Sequence, residues 1–294
     1  MNISYKWLVV FLAILIGFVA GKIRKFNVED LSVLVVNYLL PFYVFLSIVG
    51  VNIIGSNIFY MIFSAFFVIF FSTVFIVISG KILGIDFSSY MLPVVFMNSG
   101  FLGIPIIESL FGYEKTSLAI IYDQTQSVLI FTLGLSIAGS DIPKRERLKV
   151  LLINPVLFAI LLGIIFNLTG LSLPQYILNF ISFPAKSALP VALVTLGISL
   201  SSLKLENLLF ISGGVLFRYF FGLFFASLFI LLFSPPKEIM PVILILSATP
   251  SAVMSYLISE ECKKGASFAA STVFVSTLLY PLFLFLILKY ITIQ

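Results

Sequence analysis

Residues 97–106 read Met97-Asn98-Ser99-Gly100-Phe101-Leu102-Gly103-Ile104-Pro105-Ile106, inside an apolar run long enough to cross a bilayer. Two glycines, a proline, an asparagine and a serine fall between Asn98 and Pro105. Proline has no N–H and clashes with the preceding helical turn, so a helix is expected to break at Pro105. The glycines allow non-helical backbone and close approach of another chain. Irregular backbone at membrane depth survives only where protein or a watery cavity satisfies it. A second stretch has the same character: Ser247-Ala248-Thr249-Pro250-Ser251-Ala252-Val253-Met254-Ser255-Tyr256. Paired interruptions at matching places in two halves of a chain point to the binding site of a transporter.

The composition agrees with a membrane setting. Of 294 residues, 61% are hydrophobic and 10% charged, where a soluble domain carries about 25% charged residues. Mean hydropathy is +1.21. The net charge of +5 does not mark a nucleic-acid binder, because the basic residues lie mostly in short loops, as membrane topology requires. The chain has no histidine, which excludes His-based catalysis, His metal sites and the usual pH switch. Cys262 is the single cysteine, so an intrachain disulfide or a Cys cluster is excluded. With no obvious nucleophile–base pair either, the chain does not read as an enzyme, and no cofactor or metal is expected. Trp7 to Gly21 is apolar, but Lys22, Arg24 and Lys25 follow it instead of preceding it. It reads as a first membrane helix and not as a signal peptide.

About 20 apolar residues make a spanning helix. On that rule the expected spans are 6–22, 31–50, 58–80, 89–111, 116–138, 151–168, 180–200, 208–233, 239–259 and 266–289. The widest gap, 139–150, is basic and joins two halves of five helices, 1–138 and 151–294. Eleven Lys or Arg residues fall in loops on one side and four on the other. This places the first set in the cytoplasm and both termini outside. Five helices per half is an odd number, so the second half enters the membrane in the opposite sense, as an inverted repeat does. The pairs Leu40-Pro41 and Leu189-Pro190, and Pro105 and Pro250, recur at offsets of 149 and 145 residues. The motifs Gly17-x-x-x-Gly21 and Gly80-x-x-x-Gly84 suit close packing of membrane helices.

If the fourth and ninth spans cross at their breaks, half-helices starting near Pro105 and Pro250 aim their N-termini at one spot. Each end carries free N–H groups and roughly +0.5 charge, which favours an anion. Asn98, Ser99, Thr249 and Ser251 could add side-chain hydrogen bonds, beside Gly100, Gly103, Pro105 and Pro250 in the same breaks. Asn37 lies on the helix face of Pro41 and is expected near the site. Asp123 is an acid well inside a span, which is a functional candidate by default. It could carry a proton, coordinate Na⁺ with Gln124 and Gln126, or pair with Lys186 or Arg218. Glu108, one turn beyond Pro105, could line an exit path or reach the interface.

These motifs resemble those of the auxin efflux carrier family, which holds plant PIN auxin exporters and bacterial or archaeal-type permeases for acids such as malate and malonate. Asn98 to Pro105 is similar to its fourth-helix motif. Leu189-Pro190 through Leu200 resembles its seventh helix, and Ala248-Thr249-Pro250-Ser251 its ninth. Asp123 and the run 271–281 also sit where family members have similar residues. The resemblance implies an all-helical membrane fold of ten helices in two inverted repeats, shared with bile-acid symporters and sodium/proton antiporters. It implies helices crossing at Pro105 and Pro250, an elevator-like movement, and contact of Asn98 with a substrate carboxylate. The short join fits a microbial carrier, and the paired acids of the antiporters are absent.

The expected function is secondary transport of a small organic anion, a carboxylate such as malate, malonate or an auxin-like acid, with coupling to H⁺, to Na⁺ or to neither left open. Two alternatives stand beside it: a cation-coupled symporter or antiporter, and a non-transporting membrane sensor. The expected partners are the anion and the lipid bilayer of the cell membrane, not nucleic acid; a homodimer is one assembly such a chain could form.

Overall fold

The computed structural model describes residues 7–49, 55–84, 87–137, 152–203 and 208–293, together with Pro143 and Arg145. The rest of the basic join at 139–150 lies outside the described residues. Twelve helices make up the described chain: α1 Trp7–Ile23, α2 Val28–Val49, α3 Gly55–Leu83, α4 Ser88–Val95, α5 Ser99–Phe111, α6 Tyr113–Leu129, α7 Pro155–Thr169, α8 Gln175–Ser202, α9 Leu208–Phe233, α10 Met240–Ser247, α11 Val253–Glu261 and α12 Ala266–Ile293. A π-helical stretch, Ile130–Gly134, and a last turn to Ile137 continue α6.

Local chemistry sets several boundaries. Asn27 Oδ1 accepts the N–H groups of Glu29 and Asp30 and opens α2. Asn154 Oδ1 accepts the N–H of Val156 at 2.9 Å, with Pro155 in the first turn, and opens α7; both are N-caps that satisfy orphan donors. Gly84, with φ +66° and open space around it, closes α3. It therefore ends a helix, where the sequence motif suggested packing.

By length and composition, α2, α8 and most of α3, α9 and α12 are long and apolar enough to cross a membrane. Of the remaining expected spans, 6–22 and 151–168 are shorter single helices, 116–138 is α6 with its π-helical continuation, and two are broken. The stretches 89–111 and 239–259 are each two short helices, α4 with α5 and α10 with α11. The first break lies at Phe96–Asn98, upstream of Pro105. Helix α5 begins with a widened π-helical turn in which Gly103 N–H reaches back to Asn98. The wide turn accommodates the proline ring, so the helix runs through Pro105. The second break, 248–252, does contain Pro250, which therefore sits in extended chain before α11 and not in its first turn.

The helices pack as two groups. In one, α1 lies along α8 and α2 along α7 and α8. A Cβ at Gly17 would overlap the Val194 carbonyl, and one at Gly197 would overlap the Ile14 carbonyl. Glycine at these positions is what lets α1 and α8 touch backbone to backbone. The second group holds α3 to α6 and α9 to α12. Phe63, Phe67 and Phe71 of α3 interlock with Phe225, Phe229 and Phe233 of α9. Each half of the chain thus gives its first two helices to one group and the rest to the other. The groups meet where α2 touches α6 and where α1 and α8 touch α5. Trp7 packs edge-on against Phe11, which in turn meets Tyr280 of α12.

The two breaks cross inside the second group and pair there. Asn98 N–H donates to Pro250 at 2.7 Å, and Ala252 N–H donates to Phe96 at 3.0 Å, forming a short antiparallel bridge. Arg218 of α9 is fully buried against this crossing. Its guanidinium donates to the carbonyls of Val94 and Val95 at 3.0 and 2.8 Å and to that of Ser247. It therefore caps the C-terminal ends of α4 and α10 together, where two partial negative charges converge. Arg218 neither faces the cavity nor pairs with Asp123, and Lys186 is exposed on α8. Replacing Arg218 with Leu leaves three buried carbonyls without a donor, at about 1–3 kcal/mol each. Arg218→Leu is expected to lower the thermal midpoint of the detergent-solubilised protein sharply, whereas Tyr176→Phe, on an exposed side chain, should leave it in place.

Candidate functional site

A cavity of about 760 Å³ opens where the two groups face each other at the crossing. Its walls come from α2, from the break and first turn of α5, from α6, from the start of α7, from α8 and from α11. Among the described residues that line it, Asp123 is the one charged side chain, and no lysine or arginine is present. A second hollow of about 870 Å³ lies between α3 and α6 but is lined almost wholly by Phe, Ile, Leu and Val. With hardly a polar group to orient a ligand, it is not a specific site.

The crossing makes one wall. Asn98 is 4% exposed, lines the cavity, and its Nδ2 has no hydrogen-bond partner. A buried amide nitrogen without an acceptor is costly, so this donor is one that a group entering the cavity could satisfy. Just beyond it, Ser99, Gly100, Phe101 and Leu102 head α5, where a helix has N–H groups without internal acceptors. Asp123 of α6 faces the same helix start. Its carboxylate accepts Ser99 Oγ–H at 2.7 Å and Gln124 Nε2–H at 3.1 Å. A Cβ on Gly100 would come within 2.9 Å of Asp123 Oδ1, so glycine is what lets the carboxylate settle against the helix end.

The other expected residues divide between the cavity and its frame. Asn37 and Gln124 line the cavity, and Gln124 Oε1 is a buried acceptor without a partner. Gln126 reaches the wall but is committed: its Oε1 accepts Met97 N–H at 3.0 Å, and its Nε2 donates to the Met97 carbonyl and to Ser99 Oγ. It thus behaves as a third strand beside the bridge. Ser99 is buried as the relay between Gln126 and Asp123. Thr249 and Ser251 do not line the cavity. Thr249 Oγ1 donates to Leu246 at 2.8 Å, and Ser251 Oγ donates to Pro93. Gly103 packs beneath Leu246 and Thr249, and Pro105 is buried behind it. Pro250 takes part through its carbonyl, in the bridge.

Several lining groups were not singled out from the sequence. Thr195 and Ser199 stand four apart on α8, on one face, and Asn154, Tyr38, Ser32 and Ser127 add further polar groups to the lining. A hydroxyl pair at helical spacing inside an apolar span is the signal that could have found the first two. Away from the cavity, Glu108 of α5 accepts a hydrogen bond from Tyr43 of α2. Glu108 therefore lies on the seam between the groups and not on the cavity wall.

Gly100→Ala tests this geometry. The added methyl group must displace the Asp123 carboxylate, so the variant is expected to lose stability. Asp123→Ala in the same chain should restore part of the loss, a non-additivity that residues in contact show and distant ones do not. Thermal midpoints of the two single variants and the double variant give the coupling; strictly additive midpoints would separate Gly100 from Asp123.

A family model described as membrane transport protein matches the chain in two tandem stretches, residues 2–146 and 144–288. An uncharacterized transporter of Methanothermobacter thermautotrophicus is 37% identical over 131 residues, 42% of this chain and 39% of that protein. An uncharacterized transporter of Methanocaldococcus jannaschii is 26% identical over 298 aligned positions, 92% of each chain. The chain is thus matched over less than half of the first relative's length and nearly all of the second's.

Proposed function

Because the chain belongs to the membrane transport protein family, that of the auxin efflux carriers, we propose that this multi-pass membrane protein is a secondary transporter of small organic anions, and that the cavity at the crossing holds the substrate's carboxylate. The observation that carries this reading is the unpartnered Asn98 Nδ2, buried in the cavity wall beside the start of α5. Together they offer an anion a side-chain donor, backbone N–H groups and the positive end of a helix. The apolar remainder of the wall, with Phe101, Leu196 and Met254, suits the body of an organic acid. Such a site binds a carboxylate without a buried lysine or arginine of its own.

We read the chain as ten spans in two inverted repeats, 1–138 and 151–294, joined by the basic stretch 139–150. The tandem family matches support this, one on each half. So does the packing: the first helix of each half lies on the second helix of the other, α1 on α8 and α7 on α2. The α1–α2–α7–α8 group is then the scaffold, and the crossing-bearing group slides against it in an elevator-like movement. Asn154, next to the basic join, lies at the rim. With the basic side cytoplasmic, the cavity faces the cytoplasm, and the Tyr43–Glu108 bond holds the seam closed elsewhere.

The test is binding and flux of carboxylates in reconstituted protein. A bound acid at 100 times its Kd adds about 2.7 kcal/mol of apparent stability, readable as a thermal shift. Asn98→Ala is expected to weaken binding about tenfold to a hundredfold, the worth of a hydrogen bond to a charged group at about 1.5–3 kcal/mol, with folding intact. Unchanged affinity in the folded variant removes Asn98 from the site. Binding without any flux turns the reading to a sensor.

A further inference from the structure

Resting on that reading, we infer that the cavity binds the substrate's carboxylate together with a proton on Asp123, one H⁺ for each monoanion. Among the described residues the cavity's single fixed charge is negative, and it stands where a bound anion would stand. Asp123 lies against Gly100, with Oδ1 2.7 Å from Ser99 Oγ, at the head of α5. Its carboxylate is already an anion at that helix end. A second carboxylate brought to Asn98, in the wall of the same cavity, meets a like charge with no lysine or arginine between them. Two carboxylates sharing one site do not both stay ionised; one takes a proton.

The partners of Asp123 suit that change. Ser99 Oγ and the Gln124 amide can each donate or accept. Gln124 now turns Nε2–H to Asp123, leaving Oε1 buried and without a partner. A half-turn of the amide presents Oε1 to an Asp123 O–H, so the same residue serves both protonation states. Among the described residues, no other charged group on the cavity wall competes for the role. On the cavity wall only Tyr38 is titratable beside Asp123, among the described residues. On the elements packed against α6, Glu108 and Tyr43 bond each other, Glu29 and Asp30 are exposed at the start of α2, and Tyr60 and the exposed Lys81 belong to α3, all off this cavity's wall. On α6 itself, Tyr122 bonds Ser247, Lys115 pairs with Glu238, and Tyr113 and Glu114 stand at the far end of the helix.

In the step itself, a solvent proton forms one O–H bond on Asp123 as the anion enters, and the site's net charge stays at one negative. Release of the anion on the far side returns the proton. A monocarboxylate thus crosses without net charge.

The experiment uses the full chain, purified in detergent and weakly buffered, with a pH-indicator dye and a series of monocarboxylates: acetate, lactate, benzoate and indole-3-acetate. At pH values where each acid is itself ionised, binding by the wild type is expected to take up about one proton per anion. Affinity is expected to fall, approaching tenfold per pH unit on the alkaline side. Asp123→Asn is expected to bind with affinity independent of pH and to take up none. Binding by the wild type without proton uptake, or with a requirement for Na⁺ instead, overturns this inference and leaves the anion site standing. An Asp123→Asn variant that keeps the wild-type pH dependence overturns it in the same way. If Asp123→Asn does not fold, proton uptake by the wild type decides alone. A folded wild type that binds none of the acids at any pH overturns the organic-anion reading and this inference with it.

Discussion

The structure rests on satisfying the backbone where two helices break inside an apolar body. Every carbonyl from Leu92 to Asn98 accepts a hydrogen bond. Leu92 accepts from Phe96 N–H and Ser255, Pro93 from Ser251, and Val94 and Val95 from Arg218. Phe96 accepts from Ala252 N–H, Met97 from Gln126 and Asn98 from Gly103 N–H. Lipid offers no donors, so each of these bonds must come from protein. Arg218 is central because one guanidinium presents five N–H donors in a fixed fork. A lysine's point charge would not reach the ends of α4 and α10 together.

That framework divides the labour among the polar residues. Those that hold the crossing together, Arg218, Gln126, Thr249 and Ser251, have their donors turned into the protein. Of the groups there that lack a partner, Arg218 Nε is enclosed in the protein, while Asn98 Nδ2 and Gln124 Oε1 belong to residues of one cavity wall. A binding site of this kind is what remains when the backbone has taken all it needs. Among the described residues its one charged side chain is an acid, and its electropositive element is the end of α5, which no change of side chain removes.

Much of the fold was legible in the sequence because its signals are local. Apolar length located the long helices, and prolines among small polar residues marked both interruptions. Gly17 foretold the close contact of α1, whose partner on α8 is Gly197. The misreadings come from interactions between segments distant in sequence. A proline announces a disturbed helix, but Pro105 is absorbed by a π-helical turn, and the break moved upstream to where Pro250 and Ala252 supply pairing. Arg218 read as a possible partner for an acid, because nothing local shows that two helix ends converge on it. Thr249, Ser251 and Gln126 were plausible ligands by type, yet the first two bond backbone carbonyls near the crossing and Gln126 bonds the Met97 backbone and Ser99 Oγ. Asn98 and Asp123 were visible because a polar residue amid apolar ones stands out whatever surrounds it.

The position of Trp7 has a practical consequence. It is the single tryptophan of the chain, and it sits on α1 against Phe11, which touches Tyr280 across the seam. An indole ring senses the polarity and the neighbours around it, and here those neighbours lie at the contact between α1 and α12. The wild-type protein therefore carries its own optical reporter on the contact between the two helix groups, with no label to attach and no second indole to subtract.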